Sequence, residues 1–492
     1  MVLRVLCWWA YHNDYFNFRV EELESLASMC GWDPSRLWSE EGGCPRPSRQ
    51  EELAFAYVHL PDESTASRIV DRAITVKAFV EVWGEGSTYD EVLSDAQRRF
   101  PPDKRRTHLN ETTTWAFQIA GFGKTFTHGE KVCRMNHFRS LFTEKEPTDI
   151  NNPTTLLYIL EDWAHSIEFM SASQRAKEPR KIYLGRAVAR PRKGPWWLRY
   201  DLTCRPVLGP TTMDNELAFL MANQAQVRAG NVVFDPFVGT GGLLIAASHF
   251  GGVCMGSDID IRVLKGWGVA RLNKEVQQPN DAHTTIFRNF REYGLPAPEV
   301  ICSDNAAWVW RLPSIEDGPP SLPAQRKHKH TPAAAAAEST STSDSWSSPH
   351  RRSIARRTLP WMDAIVCDPP YGIRAGARQA GHLKKNKKPL KERGREECLN
   401  GGGDSTAGLF DELVESYTIV KDLMYFASVA LVDGGRLVFL LPVELREADL
   451  DEQLEVVRHH PELELLATSL QFLAGGLGRV LVTMRRRRRE QG

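Results

Sequence analysis

The stretch NVVFDPFVGTGGLLIAASHFGGVCMGSDID (231–260) decides the fold. Its first five residues form a short β-branched run, NVVFD (231–235), that ends in a glycine turn. An apolar helical run, LLIAASHF, follows, and VCMGSD (253–258) makes a second strand. Strand, helix and strand in this order start a βαβ unit, which implies a parallel sheet with right-handed crossovers. Toward the C-terminus, strands are predicted at EVICSD (299–304), DAIVCD (363–368), RLVFLLP (436–442), LELLATS (463–469) and RVLVTM (479–484), and a long helix at ELVESYTIVKDLMYFASVAL (412–431). QFLAGGLG joins the last two strands, which are expected to pair as an antiparallel edge. Upstream, a helix with Asp214 as N-cap runs through ELAFLMANQAQV and sets Leu217, Leu220 and Met221 on one apolar face. Residues 214–492 therefore read as a doubly wound, mostly parallel α/β domain.

The first half follows another pattern. MVLRVLCWW reads as a buried strand rather than a secretory signal, because Arg4 interrupts the apolar run and no small-residue cleavage site is clear. LAFAYVHL (53–60) and VKAFVEVWG (76–84) read as strands, and Glu63 to Arg72 and Gly129 to Leu141 as helices, so residues 1–184 are expected to be α+β. Residues 185–213, rich in Pro, Arg and Trp, suit a connector. Residues 314–357 interrupt the second domain with a Ser, Pro, Ala and basic composition that cannot bury a core, and are expected to be a disordered insertion. His328 and His330 stand there by composition, and no metal ligands are expected.

A chain of 492 residues with 42% hydrophobic and 25% charged residues is long enough for two or three domains and excludes a fibrous or wholly disordered protein. Lys plus Arg equals Asp plus Glu at 62 each, so any nucleic-acid surface must come from local clusters. Residues 384–396 are one such cluster; the run Arg485 to Arg489 reads first as a solvated tail. The nine cysteines contain no C-x-x-C pair, which argues against a disulfide framework and a structural zinc site and fits reduced thiols in the cytoplasm or nucleus. No apolar run reaches membrane-spanning length, and no membrane association is expected.

Two motifs carry chemistry. In DPFVGTGG (235–242), Gly239, Gly241 and Gly242 let the backbone turn tightly and leave room for a ligand against the main chain at a helix N-terminus. Leu244 breaks a dinucleotide-type G-x-G-x-x-G, and the Gly-Lys-Ser/Thr ending of a phosphate loop is missing. A nucleoside without phosphates remains, with Asp258 at the end of the next strand placed to accept from both ribose hydroxyls and Asp304 and Asn305 placed toward an adenine edge. S-adenosyl-L-methionine meets that description. The bland alternative makes the glycines a tight turn and Asp258 a solvated strand end.

The second motif, Asp368-Pro369-Pro370-Tyr371, directly follows the strand DAIVC. Ligand crevices of doubly wound sheets lie at the C-terminal strand ends, so Asp235, Asp258, Asp304 and Asp368 are expected along one rim. An exocyclic amine on a base is a poor nucleophile because its lone pair is delocalised into the ring. The Asp368 carboxylate and the Pro369 carbonyl can each accept one N–H and aim that lone pair, the two prolines fix the turn, and Tyr371 can stack on a base swung out of its helix. A planar protein amide poses the same electronic problem, so the motif alone does not tell base from peptide, and the plain reading is a rigid turn with a surface tyrosine.

Beyond these motifs, LGRAVA (184–189), VLGPTTMDNELAFLMANQ (207–224), VVFDPFVGTGGLLIAASHFGG (232–252), GSDID (256–260), NFREYGL (289–295), DAIVCDPPYGIRAG (363–376) and GGRLVFLLPV (434–443) resemble the catalytic subunit of eukaryotic tRNA (guanine(10)-N2)-methyltransferases, a THUMP-containing class I methyltransferase family. The resemblance implies a Rossmann-like methyltransferase domain preceded by a ferredoxin-like piece and a THUMP domain, roughly residues 60–178, that grips tRNA. It implies S-adenosyl-L-methionine as donor, a cofactor site including Thr212, Asp235, Pro236, Phe237, Gly239, Gly241, Asp258, Ile259 and Asp304, and a catalytic turn from Asp368 to Tyr371. It also implies a small zinc-binding activator subunit in a heterodimer. The rival readings are methylation of adenine N6 or of guanine in ribosomal RNA, and an RNA-binding scaffold without catalysis.

Overall fold

The computed structural model describes residues 2–9, 13–48, 53–143, 145–163, 178–192, 194–267, 270–274, 285–304, 360–370, 405–446, 449–473 and 476–489. Asn305, Tyr371, the 314–357 insertion and the basic stretch 384–396 lie outside them.

The first half is built on one six-stranded sheet of β1 (Leu3–Trp9), β2 (Phe55–Leu60), β3 (Val76–Gly86), β4 (Trp115–Phe122), β5 (Thr155–Asp162) and β6 (Lys181–Ala189), in the order β2-β1-β3-β6-β5-β4. The nearly continuous apolar run of β1 reflects burial on both faces. Val5, Cys7 and Trp9 enter one apolar cluster, while Leu6 and Trp8 enter another on the opposite side. Strand β6 runs five residues past the boundary expected at 184, because it completes ladders with β3 and β5. Residues 185–189 are therefore sheet rather than connector.

The second half carries a seven-stranded sheet. After β7 (Val207–Leu208) come β8 (Val232–Asp235), β9 (Val253–Asp258), β10 (Arg271–Leu272), β11 (Glu299–Cys302), β12 (Met362–Cys367), β13 (Leu431–Glu444), β14 (Leu463–Phe472) and β15 (Leu477–Arg486). The large sheet runs β11-β9-β8-β12-β13-β15-β14, and β7 pairs only with β10. Its first five strands are parallel, whereas β15 is antiparallel to both β13 and β14, giving the expected antiparallel edge with the last strand inserted inside it. Because β15 is paired on both sides, the arginine run is not wholly a tail. Arg485 is a strand residue ion-paired with Glu464 at 2.8 Å, and Arg486 is buried against Glu462.

The helix Asn215–Gln224 is N-capped by Asp214, whose carboxylate accepts from the backbone N–H groups of Glu216 and Leu217. It is buried all round rather than along one stripe, because the helix Arg19–Met29 of the first half packs on it. Polar side chains fasten this joint. The buried Glu22 carboxylate accepts from Ile74 N (2.9 Å), Thr75 N (2.8 Å), Thr75 Oγ1 (2.5 Å) and Asn223 Nδ2 (2.7 Å). Arg72 Nε donates to Asn223 Oδ1 at 2.8 Å, and Arg436 donates to Gln224 O and Ser25 Oγ. Tyr15 Oη donates to the capping Asp214 at 2.8 Å, so the two halves share one continuous core. A buried carboxylate accepting this many bonds is costly to disturb from either side.

His460 starts the antiparallel edge. Its Nδ1 accepts from Glu462 N and Leu463 N, both at 3.1 Å, which sets the turn into β14. Burial, with Arg486 and Arg487 nearby, lowers its pKa to about 4, so the folded ring is neutral. An unfolded histidine titrates near 6.5, so this group's contribution is complete above about pH 6.5 and is lost as pH falls toward 4. Chemical denaturation across that window should show a loss on the order of 3 kcal/mol that His460→Asn flattens. An identical slope in the variant would remove His460 as its source.

Candidate active site at the strand ends

Strands β11, β9, β8 and β12 are neighbours and parallel, so their C-terminal ends form one rim. Asp235 and Asp258 end β8 and β9, and Asp304 and Asp368 follow β11 and β12 closely. The register Ala364↔Val233 and Ile365↔Phe234 sets the two motif turns side by side. Their proximity shows in the electrostatics. Burial raises the Asp235 carboxyl well above the usual carboxylate range, and the charges of Asp258 and Asp368 raise it further.

The glycine turn is built from backbone bonds. Asp235 Oδ1 accepts from Phe237 N at 2.9 Å, Val238 N donates to Ser257 O at 2.9 Å, and Gly241 N donates to Val238 O at 2.7 Å. This folds the turn down on β9, where a Cβ at Gly256 would meet Val238 at 2.9 Å. Gly239 and Gly241 take positive φ of 49° and 82°, which L side chains rarely adopt. They differ in surroundings. A Cβ at Gly241 would strike Ile286 at 2.9 Å, whereas one at Gly239 would meet nothing nearer than Phe237 O at 4.0 Å. Open space thus lies against the turn at Gly239, beside the N-terminus of the helix Gly242–His249.

Asp258 borders that space. One carboxylate oxygen accepts from Gly239 N at 2.9 Å and the other from Asp260 N at 2.8 Å, while burial raises its pKa. Each oxygen keeps a further lone-pair site, so Asp258 can shape the turn and still accept from a ligand hydroxyl. This double duty was not expected from the sequence. Half-buried Phe237 and Ile259 flank it, and Pro236 is buried. Asp368 and Pro370 are half-buried at the mouth of the next turn, with Pro369 buried between them. Thr212 belongs to a strap formed by residues 205–213. Its Oγ1 accepts from Gly209 N at 2.6 Å and lies 3.2 Å from Thr240 Oγ1 of the glycine turn.

Two residues that hold the strap were not singled out from the sequence. The buried guanidinium of Arg205 donates to Tyr200 O and Met213 O, and a Cβ at Gly242 would lie 3.3 Å from it. Asn289, fully buried, accepts from Val207 N at 2.9 Å and donates to Val207 O at 3.0 Å and Thr240 O at 3.4 Å, acting as a side-chain rung between strap and turn. Arg205 stood in a segment read as connector, and Asn289 only opens a quoted stretch; neither carries a periodic or spacing signal.

Comparison with known proteins follows the same division. Residues 10–193 match the model of the Tmrp11 THUMP N-terminal domain, and residues 203–294 that of the RMKL-like methyltransferase domain. The chain is 31% identical to the tRNA (guanine(10)-N(2))-methyltransferase TRMT11 of Xenopus laevis, over 95% of this chain and 81% of that one. It is 30% identical to TRMT11 of Homo sapiens, over 96% and 86%, and 28% identical to that of Dictyostelium discoideum, over 96% and 80%.

Replacing Asn289 with Leu leaves three buried backbone groups unpaired, so Asn289→Leu should lower unfolding free energy by about 2–4 kcal/mol. It should also speed amide exchange at Val207. Unchanged exchange there would show that the strap is held by other contacts.

Proposed function

The chain belongs to the tRNA (guanine(10)-N2)-methyltransferase family, and from that premise we infer that it transfers a methyl group from S-adenosyl-L-methionine to the exocyclic N2 amine of a guanine in tRNA. The observation that carries the site assignment is the pairing of β8 with β12, which puts the open glycine turn beside the Asp-Pro-Pro turn on one rim. Methylation of adenine N6 or of ribosomal guanine has no comparable support, since the relatives and the THUMP-type first half point to tRNA.

The residues present fit the cofactor. The space at Gly239 would take the donor against bare backbone, Asp258 would accept from its ribose hydroxyls, Asp304 with Asn305 would reach its adenine, and Thr212, tied to the glycine turn, would close over it. When bound, S-adenosyl-L-methionine supplies an electrophilic methyl group on a sulfonium. Asp368 and the Pro369 carbonyl each accept one N–H of the guanine amine, which turns its lone pair out of conjugation and toward the Gly239 space. Tyr371, outside the described residues, would stack on the flipped base; as the N–C bond forms the donor's sulfur–methyl bond would break, leaving a neutral thioether, and the proton released from the amine would pass to Asp368 or water. Rate then comes from positioning and preset electrostatics.

A small zinc-binding activator subunit completes this reading. Its support is the outer strand β11, unpaired on one side among the described residues, where Ile301 is 38% exposed, and the 60% exposed Trp267 just after the helix Ile261–Lys265 that packs on this strand. A cytoplasmic location fits the eight described cysteines, all free thiols. Among the described residues no helix is long and apolar enough to cross a membrane.

With purified enzyme and tRNA transcript, Asp368→Ala should cut methyl transfer by at least a thousandfold while cofactor affinity in calorimetry stays within a few fold. Asp258→Ala should instead weaken cofactor binding by tenfold or more, through lost hydroxyl acceptors and a loosened glycine turn. Full activity in the first variant, or unchanged affinity in the second, would remove that residue from its role.

A further inference from the structure

The strap beside the glycine turn is fastened from both halves of the chain. Arg205, at its start, donates from NH1 to Met213 O at 3.3 Å and closes residues 205–213 into a loop, and Asn289 holds Val207 from within the second half. The end of the strap is held from elsewhere as well. Asp214, the residue directly after it, accepts on Oδ1 from Glu216 N at 2.9 Å, from Leu217 N at 3.3 Å and, across the joint, from Tyr15 Oη at 2.8 Å. Tyr15 lies in the short 3-10 helix Asn13–Phe18 of the first half.

Its surroundings leave Tyr15 little room to move. The ring is buried, meets Phe18 edge to face at 5.8 Å, and shares one apolar cluster with Met213 and Leu217. Burial above all, and then the Asp214 carboxylate, push the phenol pKa up, so the hydroxyl stays a donor throughout the neutral range. A buried tyrosine needs a partner for its hydroxyl, and a backbone carbonyl would serve. Here the partner is the cap that ends the strap. From Asp214 the contact runs on into the glycine turn by two routes. Met213, one residue back, lies on the helix that follows the turn, where a Cβ at Gly242 would meet Met213 Cβ at 3.2 Å. Thr212, two residues back, accepts from Gly209 N at 2.6 Å and stands 3.2 Å from Thr240 Oγ1.

We propose that Tyr15 is a positioning residue for the donor site: by holding Asp214 from the first half, it sets the end of the strap against the glycine turn and keeps Thr212 in place over S-adenosyl-L-methionine. The proposal rests on the reading of the space at Gly239 as the donor site, and adds that this site is completed by the first half of the chain. A hydrogen bond to a carboxylate is among the stronger kinds, and inside a core no water replaces it when it is lost. Without the phenol, Asp214 keeps the bonds from its own helix and loses the one that crosses the joint. The same 3-10 helix makes a second bond, from Asn17 Nδ2 to Leu470 O at 3.0 Å, which ties it to β14 and not to the strap. That bond separates the role of Tyr15 from the firmness of the joint as a whole.

The test uses the full-length protein and S-adenosyl-L-methionine. Tyr15→Phe should raise the donor's Kd in calorimetry and its KM about fivefold, with kcat at saturating donor and KM for tRNA within about twofold of wild type. Asn17→Ala, which loosens the same 3-10 helix without touching the strap, should leave both donor constants within about twofold. In a Thr212→Val background, Tyr15→Phe should add less than about twofold, because the two side chains act through one strap. Wild-type donor affinity in Tyr15→Phe, an equal loss in Asn17→Ala, or an undiminished loss in the Thr212→Val background would overturn the proposal. Should the unaltered chain bind no S-adenosyl-L-methionine, the reading of the donor site falls by itself. Amide exchange at Gly209, expected to quicken in Tyr15→Phe, then still decides whether Tyr15 holds the strap, and unchanged exchange there would refute it.

Discussion

The hydrogen-bonded pairing of β8 with β12 is the constraint on which the site depends. Neither motif does chemistry alone. One is a glycine turn with open space against its backbone, and the other is a proline-stiffened turn that opens with the Asp368 carboxylate. Parallel pairing in the register Val233↔Ala364 makes them neighbours at one rim, where burial above all, with the charges of Asp258 and Asp368, pushes the Asp235 carboxyl up. Asp258 then fixes the glycine turn from the other side by accepting from Gly239 N, so the cradle is shaped by three adjacent strands rather than by one loop.

A second layer of side chains keeps this arrangement from relaxing. Asn289 replaces a missing β-strand partner for Val207 and ties it to Thr240, while Arg205, at the start of the strap, binds the Met213 carbonyl at its end and the Tyr200 carbonyl ahead of it. Farther out, Glu22 and Asn223 lock the first half onto the helix Asn215–Gln224, which packs against the helix following the glycine turn. The first half therefore meets the rim across a packed joint rather than a loose linker. Such pre-organisation lets binding energy gained far from the reacting atoms position the target base.

The fold was legible where burial imposes a clean pattern. VCMGSD matches its strand residue for residue, and the parallel βαβ order and antiparallel edge follow from apolar runs and glycine turns. It was less legible where tertiary contacts override local pattern. Composition marked 185–189 as connector, but ladders on both sides make it sheet, and Arg485 and Arg486 looked like a tail because charge alone does not announce pairing. The placement of Asp235, Asp258 and Asp368 along one rim was readable because each ends or directly follows a short apolar strand of a parallel sheet. Arg205 and Asn289 were not, because buried polar residues acquire meaning only from partners distant in sequence.

The most direct measurement of the central claim is the affinity of a bisubstrate analogue in which the guanine N2 is joined covalently to the sulfur position of the donor nucleoside. If the two turns hold donor and amine within bonding distance, it should bind at least a hundredfold more tightly than either half alone, and Asp368→Ala should remove most of that gain. An analogue that binds no better than its donor half would contradict the shared rim as the place where the methyl group moves.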